Sequence, residues 1–131
     1  MAAAGHNSLT GKRILVVEDE YWLAREIAVA LNDEGAEIVG PVSTLEAAQR
    51  LLSTDKPDCA VLDVNLHGEM AFPIAKHLQD CEVPFAIASG YDKQGLPPSL
   101  SNVPYLRKPF DPQVLRRLLP ELLAGPAGAA Q

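Results

Sequence analysis

Cysteine is scarce in this chain: Cys59 and Cys81 are the two among 131 residues. Two cysteines do not make a disulfide framework. Cys59 opens an apolar run and Cys81 follows a helix-like stretch, so both read as reduced, packed thiols of a cytoplasmic protein. His6, His67 and His77 have no ligand-like spacing with each other or with the cysteines, which argues against a zinc site. Basic charge is also in deficit. Lys and Arg number 11 against 17 Asp and Glu, for a net charge of −6, so no basic face for nucleic acid is expected. No polybasic run points to a membrane surface, and no apolar run approaches the length of a membrane span. Residues 1–11 are small and polar and lack the apolar core of a signal peptide.

What is present is an ordinary globular share of apolar residues, 47%. The length is that of one domain, able to bury roughly two-thirds of its unfolded surface. Residues 12–124 are expected to form that domain, between flexible tails at 1–11 and 125–131. No second domain is expected.

Short apolar runs alternate with amphipathic stretches. A buried strand is expected over 13–17, and a helix over 20–33 with Leu23, Ile27, Ala30 and Leu31 on its apolar face and Gly35 as its stop. Trp22 reads as a helix-packing aromatic. A second strand over 37–40 is expected to end at Pro41. Ser43 or Thr44 caps a helix carrying Leu45, Ala48, Leu51 and Leu52. A third strand covers 59–64. Pro73 sits early in the next helix, where a missing N–H costs little. Strands four and five cover 85–89 and 105–108. Asp111 and Pro112 open a last helix, where Val114, Leu115, Leu118 and Leu119 form an apolar face and Arg116 and Arg117 a solvated one. Pro120 is expected to kink or interrupt it.

Strands alternating with helices make an α/β domain with a parallel sheet. In such sheets ligands bind beyond the carboxyl ends of the strands, at a switch point in strand order. Four runs end in chemistry there: Glu18-Asp19 after strand one, Asp63 after strand three, Ser89 after strand four and Lys108 after strand five. Each has an ordinary reading when taken alone. Acids favour a helix N-terminus, a serine suits a turn, and a lysine suits the surface. Together they place three carboxylates, a hydroxyl and an ammonium on one sheet edge. Clustered carboxylates repel one another unless a hard divalent cation joins them, and Mg²⁺ suits a site with few protein oxygens. An Asp so placed can act as a nucleophile toward phosphorus, while Lys108 and Ser89 can contact phosphoryl oxygens. Lys108-Pro109 is of the kind of bond that adopts cis in some proteins.

The set Glu18-Asp19, Asp63, Ser89 and Lys108-Pro109-Phe110, each at its strand end, resembles the receiver domain of two-component response regulators over nearly the whole folded chain. The resemblance implies a flavodoxin-like (CheY-like), doubly wound, five-stranded parallel sheet of order 2-1-3-4-5. It implies Asp63 as phosphoacceptor and Mg²⁺ (or Mn²⁺) held by Glu18, Asp19, Asp63 and the Asn65 backbone carbonyl, with Glu18 acting mainly through a metal-bound water. Ser89 takes the place of the usual Thr as switch hydroxyl, and Tyr105 matches the aromatic switch. The implied partners are a histidine kinase or histidine phosphotransferase and a downstream protein, with no nucleic acid and no membrane. The stretches 62–69 and 84–91, including Ser89-Gly90-Tyr91, are similar to stand-alone alphaproteobacterial receivers with a Phe-Ala-Thr-Gly-Tyr-type motif.

Only residues 90–104 separate strands four and five, about one helical turn less than most receivers have. The fourth helix is therefore expected to be short, irregular or absent, and this segment is where mobility is expected. Two other functions fit some of the pattern. A small phosphatase of the haloacid-dehalogenase type shares an echo of Asp63-Val64-Asn65 and would turn over phosphomonoesters. An interaction module would keep the fold and never be phosphorylated.

Overall fold

The computed structural model describes residues 8–90 and 95–129. Tyr91 and residues 1–7 therefore lie outside the described residues. Five strands form one parallel sheet: β1 (Arg13–Val17), β2 (Glu37–Val42), β3 (Cys59–Asp63), β6 (Phe85–Ser89) and β7 (Tyr105–Arg107), in the order β2-β1-β3-β6-β7. A small hairpin, β4 (Asn65–Leu66) and β5 (Glu69–Met70), stands apart from it. With the hairpin set aside, the sheet order is the expected 2-1-3-4-5. Helices α1 (Tyr21–Asn32), α2 (Leu45–Leu52), α3 (Phe72–Asp80) and α4 (Leu115–Ala129) complete the α/β layers.

Strand alternation explains the two-sided core. Successive side chains point to opposite faces. Leu15, Val17, Ala60, Leu62 and Ile87 pack with Ala48, Leu52, Ile74 and Leu78 on the α2–α3 side. Ile14, Val16, Cys59, Val61 and Ala86 pack with Ile27, Leu31, Leu115 and Leu119 on the α1–α4 side. Both faces of β3 and β6 are covered, so all five residues of each are buried. That is why these strands read as continuous apolar runs.

Several expectations need correction. Residues 8–11 are not a loose tail. Leu9 is fully buried among α1 and α4 side chains, and its N–H donates to the Glu34 carbonyl at 2.8 Å. Ser8 Oγ adds a 2.6 Å bond to Glu34 Oε1. Arg116 is not on a merely solvated face, because its Nε donates to the buried Glu34 carboxylate at 2.7 Å. Neither Pro120 nor Gly125 ends α4, which continues to Ala129. Leu115 and Leu119, both fully buried, anchor the turn before Pro120 and outweigh one lost intrahelical bond. Trp22 does not pack into the core: it is 71% exposed and meets Tyr21 edge to face at 5.1 Å.

Pro41 does not end β2. The strand lies at the sheet edge, where a residue without an N–H is tolerated, and it runs on to Val42 with a register shift against β1. Gly40 takes φ +92°, and a Cβ there would meet the Val42 nitrogen at 2.8 Å. Gly40–Pro41 and Lys108–Pro109 are cis peptide bonds. Between β6 and β7, Pro98–Leu100 form a 3-10 turn, with Leu100 buried against the α3 side of the core. Among the described residues between β6 and β7 there is no α-helix.

Candidate functional site

Strand register brings the run-ending residues together. Val17 is level with Leu62, Asp63 with Ala88, and Ser89 with Arg107. Glu18, Asp63, Ser89 and Lys108 therefore leave adjacent strands at nearly one height. The Lys108 N–H continues this ladder by donating to the Ser89 carbonyl at 2.8 Å.

Lys108 Nζ sits at the centre of the charges. It donates to Glu18 Oε2 at 2.8 Å, to Asp63 Oδ2 at 2.9 Å and to Glu20 Oε2 at 2.9 Å. Asp63 Oδ1 accepts from the Asn65 N–H at 2.9 Å. Glu18 Oε2 also accepts from the Glu20 N–H at 3.0 Å, whereas Glu18 Oε1 is buried without a hydrogen-bond partner. Asp19 Oδ2 accepts from the His67 N–H at 2.9 Å, with His67 Nδ1 at 3.4 Å. Asp19, Glu20, Asp63, Asn65, His67, Gly90 and Lys108 line an open cleft of about 510 Å³.

The hairpin makes the Asp19 contact possible. His67 and Gly68 have φ of 53° and 89°, the left-handed values that a two-residue turn of this hairpin needs. Asn65 Oδ1 braces the turn by accepting from the Gly68 N–H at 2.7 Å. The sequence placed no hairpin here, because two-residue strands are too short for periodicity to show. Gly68 was the one local signal.

Ser89 is fully buried and lines an adjoining cavity of about 410 Å³ with Tyr105, Leu96 and Phe72. Asn65 and Gly68 border both spaces. The Tyr105 ring packs against the core, and its hydroxyl is buried without a hydrogen-bond partner. The structure thus gathers Glu18, Asp19, Asp63 and Lys108 directly and seats Ser89 and Tyr105 next door. Glu20 and His67 are the site residues that the sequence did not single out.

Burial is the main influence on the carboxylates. It pushes the Glu18 carboxyl up to about 7, against the pull of Lys108 and the Glu20 N–H, with the Asp63 charge adding to the rise. Burial likewise raises Asp63, opposed by Lys108 and the Asn65 N–H and helped by Asp19. For Asp19 desolvation is outweighed by the neighbouring Asp63 and Glu18 carboxyls, which take up the proton in its place, and by the His67 N–H, and its pKa falls. Burial disfavours the Lys108 charge, yet Glu18, Asp63 and Glu20 more than offset it and raise its pKa. This is a carboxylate cluster in which one ammonium neutralises less than the charge present. Carboxylate oxygens of Glu18, Asp19 and Glu20 lie within 4.8 Å of one another. An all-oxygen donor set with one buried oxygen unpartnered fits a hard divalent cation.

Known proteins share this arrangement of elements. The sensory transduction protein LytT of Bacillus subtilis is 35% identical over 111 residues, spanning 82% of this chain and 46% of that protein. The transcriptional regulatory protein PdtaR of Mycobacterium tuberculosis is 27% identical over 76% of this chain and 50% of its own length. The chain spans about half the length of these curated relatives. The solution structure of SdrG from Sphingomonas melonis Fr1 superposes with a TM-score of 0.74 at 33% identity, over 88% of this chain and 98% of that one. The response regulator PhyR from Brucella abortus gives a TM-score of 0.77 at 23% identity over 98% of this chain and 55% of that one, a likeness of fold. Among the described residues no helix is long and apolar enough to cross a membrane. The family model of the response regulator receiver domain matches residues 14–119, and the chain belongs to that family.

Proposed function

We propose that the chain accepts a phosphoryl group on Asp63 from a histidine kinase or histidine phosphotransferase and transmits the change to another protein or along a relay. The observation that carries this reading is the ion pair of Lys108 Nζ with Asp63 Oδ2 at 2.9 Å inside an acidic cleft. It holds a buried carboxylate beside a cation that can follow a phosphoryl oxygen.

In this reading an Asp63 oxygen forms the bond to phosphorus, the bond from phosphorus to the donor imidazole nitrogen breaks, and that nitrogen keeps the electron pair. The Asn65 N–H holds one Asp63 oxygen in place. Lys108 turns one of its N–H donors from a carboxylate to a phosphoryl oxygen, keeping the proton on Nζ, and the Ser89 hydroxyl donates to another. Glu18, Asp19, Asp63 and the Asn65 carbonyl would hold Mg²⁺ (or Mn²⁺). That ion would offset the crowding of negative charge around the phosphoryl group. The added phosphate charge and its acceptor oxygens then bias an inactive–active equilibrium. Ser89 and Tyr105 form the switch, consistent with their shared cavity.

On this account the domain is a cytoplasmic signalling part and not an enzyme with turnover of a separate substrate. Its assignment to stand-alone receivers of the Phe-Ala-Thr-Gly-Tyr type is supported by the 62–69 and 84–90 stretches and by the likeness to SdrG over 98% of that chain. Incubation of wild type and Asp63→Asn with a phosphorylated histidine donor and Mg²⁺ tests the proposal. Labelling of wild type alone is expected.

A further inference from the structure

An ammonium has three donor hydrogens, and Lys108 Nζ spends all three on carboxylates of this chain, Glu18, Asp63 and Glu20. While Asp63 is still a carboxylate, an incoming phosphodonor must therefore displace one of these partners before Lys108 can bond to it. The three are not equally held. The Glu18 and Asp63 side chains are 1% and 3% exposed, so releasing either leaves a buried carboxylate without its counter-ion. The Glu20 side chain is 62% exposed and returns to water at little cost.

The geometry points to Glu20 as a positioning residue: its carboxylate holds the place of a phosphoryl oxygen on Lys108, and it selects against small free phosphodonors. This rests on the proposed phosphoacceptor function of Asp63. A protein donor brings interface energy that can help displace Glu20. A small acyl phosphate brings only its own charged oxygens, and Glu20 at the rim of the cleft repels them as well as competing with them. In transfer from acetyl phosphate, an Asp63 oxygen bonds to phosphorus, the bond from phosphorus to the acetate oxygen breaks, and acetate leaves with the electron pair.

Glu20 is open to substitution without harm to the fold. It stands at the N-cap of α1, yet its side chain makes no capping hydrogen bond. Glu20→Gln keeps the shape and removes the charge. Two quantities are compared with wild type in Mg²⁺: the ratio of labelling rates from acetyl phosphate and from a phosphohistidine protein, and the dissociation constant for fluoroberyllate, a phosphoryl mimic that needs no docked donor. The ratio is expected to rise by about fivefold and fluoroberyllate to bind about fivefold tighter, the scale of one exposed charge pair. A purely structural role would move both donors alike and leave the ratio constant. A constant ratio, or unchanged fluoroberyllate binding, in a chain that is labelled on Asp63 overturns the role of Glu20 alone. Wild type that takes label from neither donor overturns the function and this inference together.

Discussion

Lys108 Nζ lies 2.8 Å from Glu18 Oε2, while the second oxygen of the same carboxylate is buried with no partner. The pair joins the ends of two strands 90 residues apart, and the one ammonium is shared among the Glu18, Asp63 and Glu20 carboxylates, fewer positive charges than negative. Several measurable properties follow from that shortage.

The first is a pH dependence of stability. The Glu18 carboxyl is raised to about 7 by burial, so in the folded state it holds a proton that the unfolded chain has already lost. Folding stability of the metal-free protein is therefore present at acid pH and lost as pH rises from the usual carboxylate range through about 7. The raised Asp63 pKa acts in the same direction. The lowered Asp19 pKa acts oppositely, but in a window below the ordinary Asp value. Urea unfolding should show a loss on the order of 2 kcal/mol between about pH 5 and about pH 8. Mg²⁺ at the higher pH should restore it, and Glu18→Gln should flatten the profile.

Removing the cation should expose the same imbalance. Lys108→Met leaves the Glu18, Asp63 and Glu20 carboxylates without their shared ammonium. The expected loss is about 3 kcal/mol above neutral pH, as for a broken buried ion pair. It should shrink at acid pH, where Glu18 is protonated. Equal losses at both ends of the pH range would argue for simple packing damage.

The Tyr105 hydroxyl is buried without a hydrogen-bond partner. An unsatisfied buried hydroxyl costs free energy, so Tyr105→Phe should leave the unphosphorylated protein as stable as wild type or more stable, by up to about 1 kcal/mol. Denaturant midpoints measured without phosphodonor check this. A clear destabilisation would place a bonding partner on that hydroxyl.

The segment before β1 should contribute to stability as a clasp. Leu9 is fully buried and Glu34 receives bonds from Ser8 and Arg116. Leu9→Ala should cost about 2–3 kcal/mol, as for a large-to-small core change. Glu34→Ala should cost about 1 kcal/mol, through the hydrogen bonds lost from Ser8 and Arg116, since the partly exposed Arg116 charge can turn to water. Values near zero for both would return residues 8–11 to the tail that their composition suggested.

Legibility in the sequence followed the physics of each part. The strands β1, β3 and β6 were readable because full burial leaves continuous apolar runs, and the sheet rule pointed from their ends, and from the end of β7, to Glu18, Asp19, Asp63, Ser89 and Lys108. Glu20 was not readable, because its local role as the residue before a helix hides a contact with a lysine 88 positions away. Leu9 was a lone apolar residue with no period to reveal its burial. The β4–β5 hairpin was too short to leave a pattern, and the passage of α4 through Pro120 depends on packing of Leu115 and Leu119 that only the fold supplies.

The proposed signalling depends on Asp63 as the phosphoacceptor. Intact-mass measurement after exposure of wild type and Asp63→Asn to acetyl phosphate or a phosphohistidine donor in Mg²⁺ tests it most directly. Wild type should carry one acid-stable, base-labile phosphoryl group and Asp63→Asn none, and chelation of Mg²⁺ should abolish labelling. Equal labelling of the two chains, or no labelling of wild type by either donor, would contradict it.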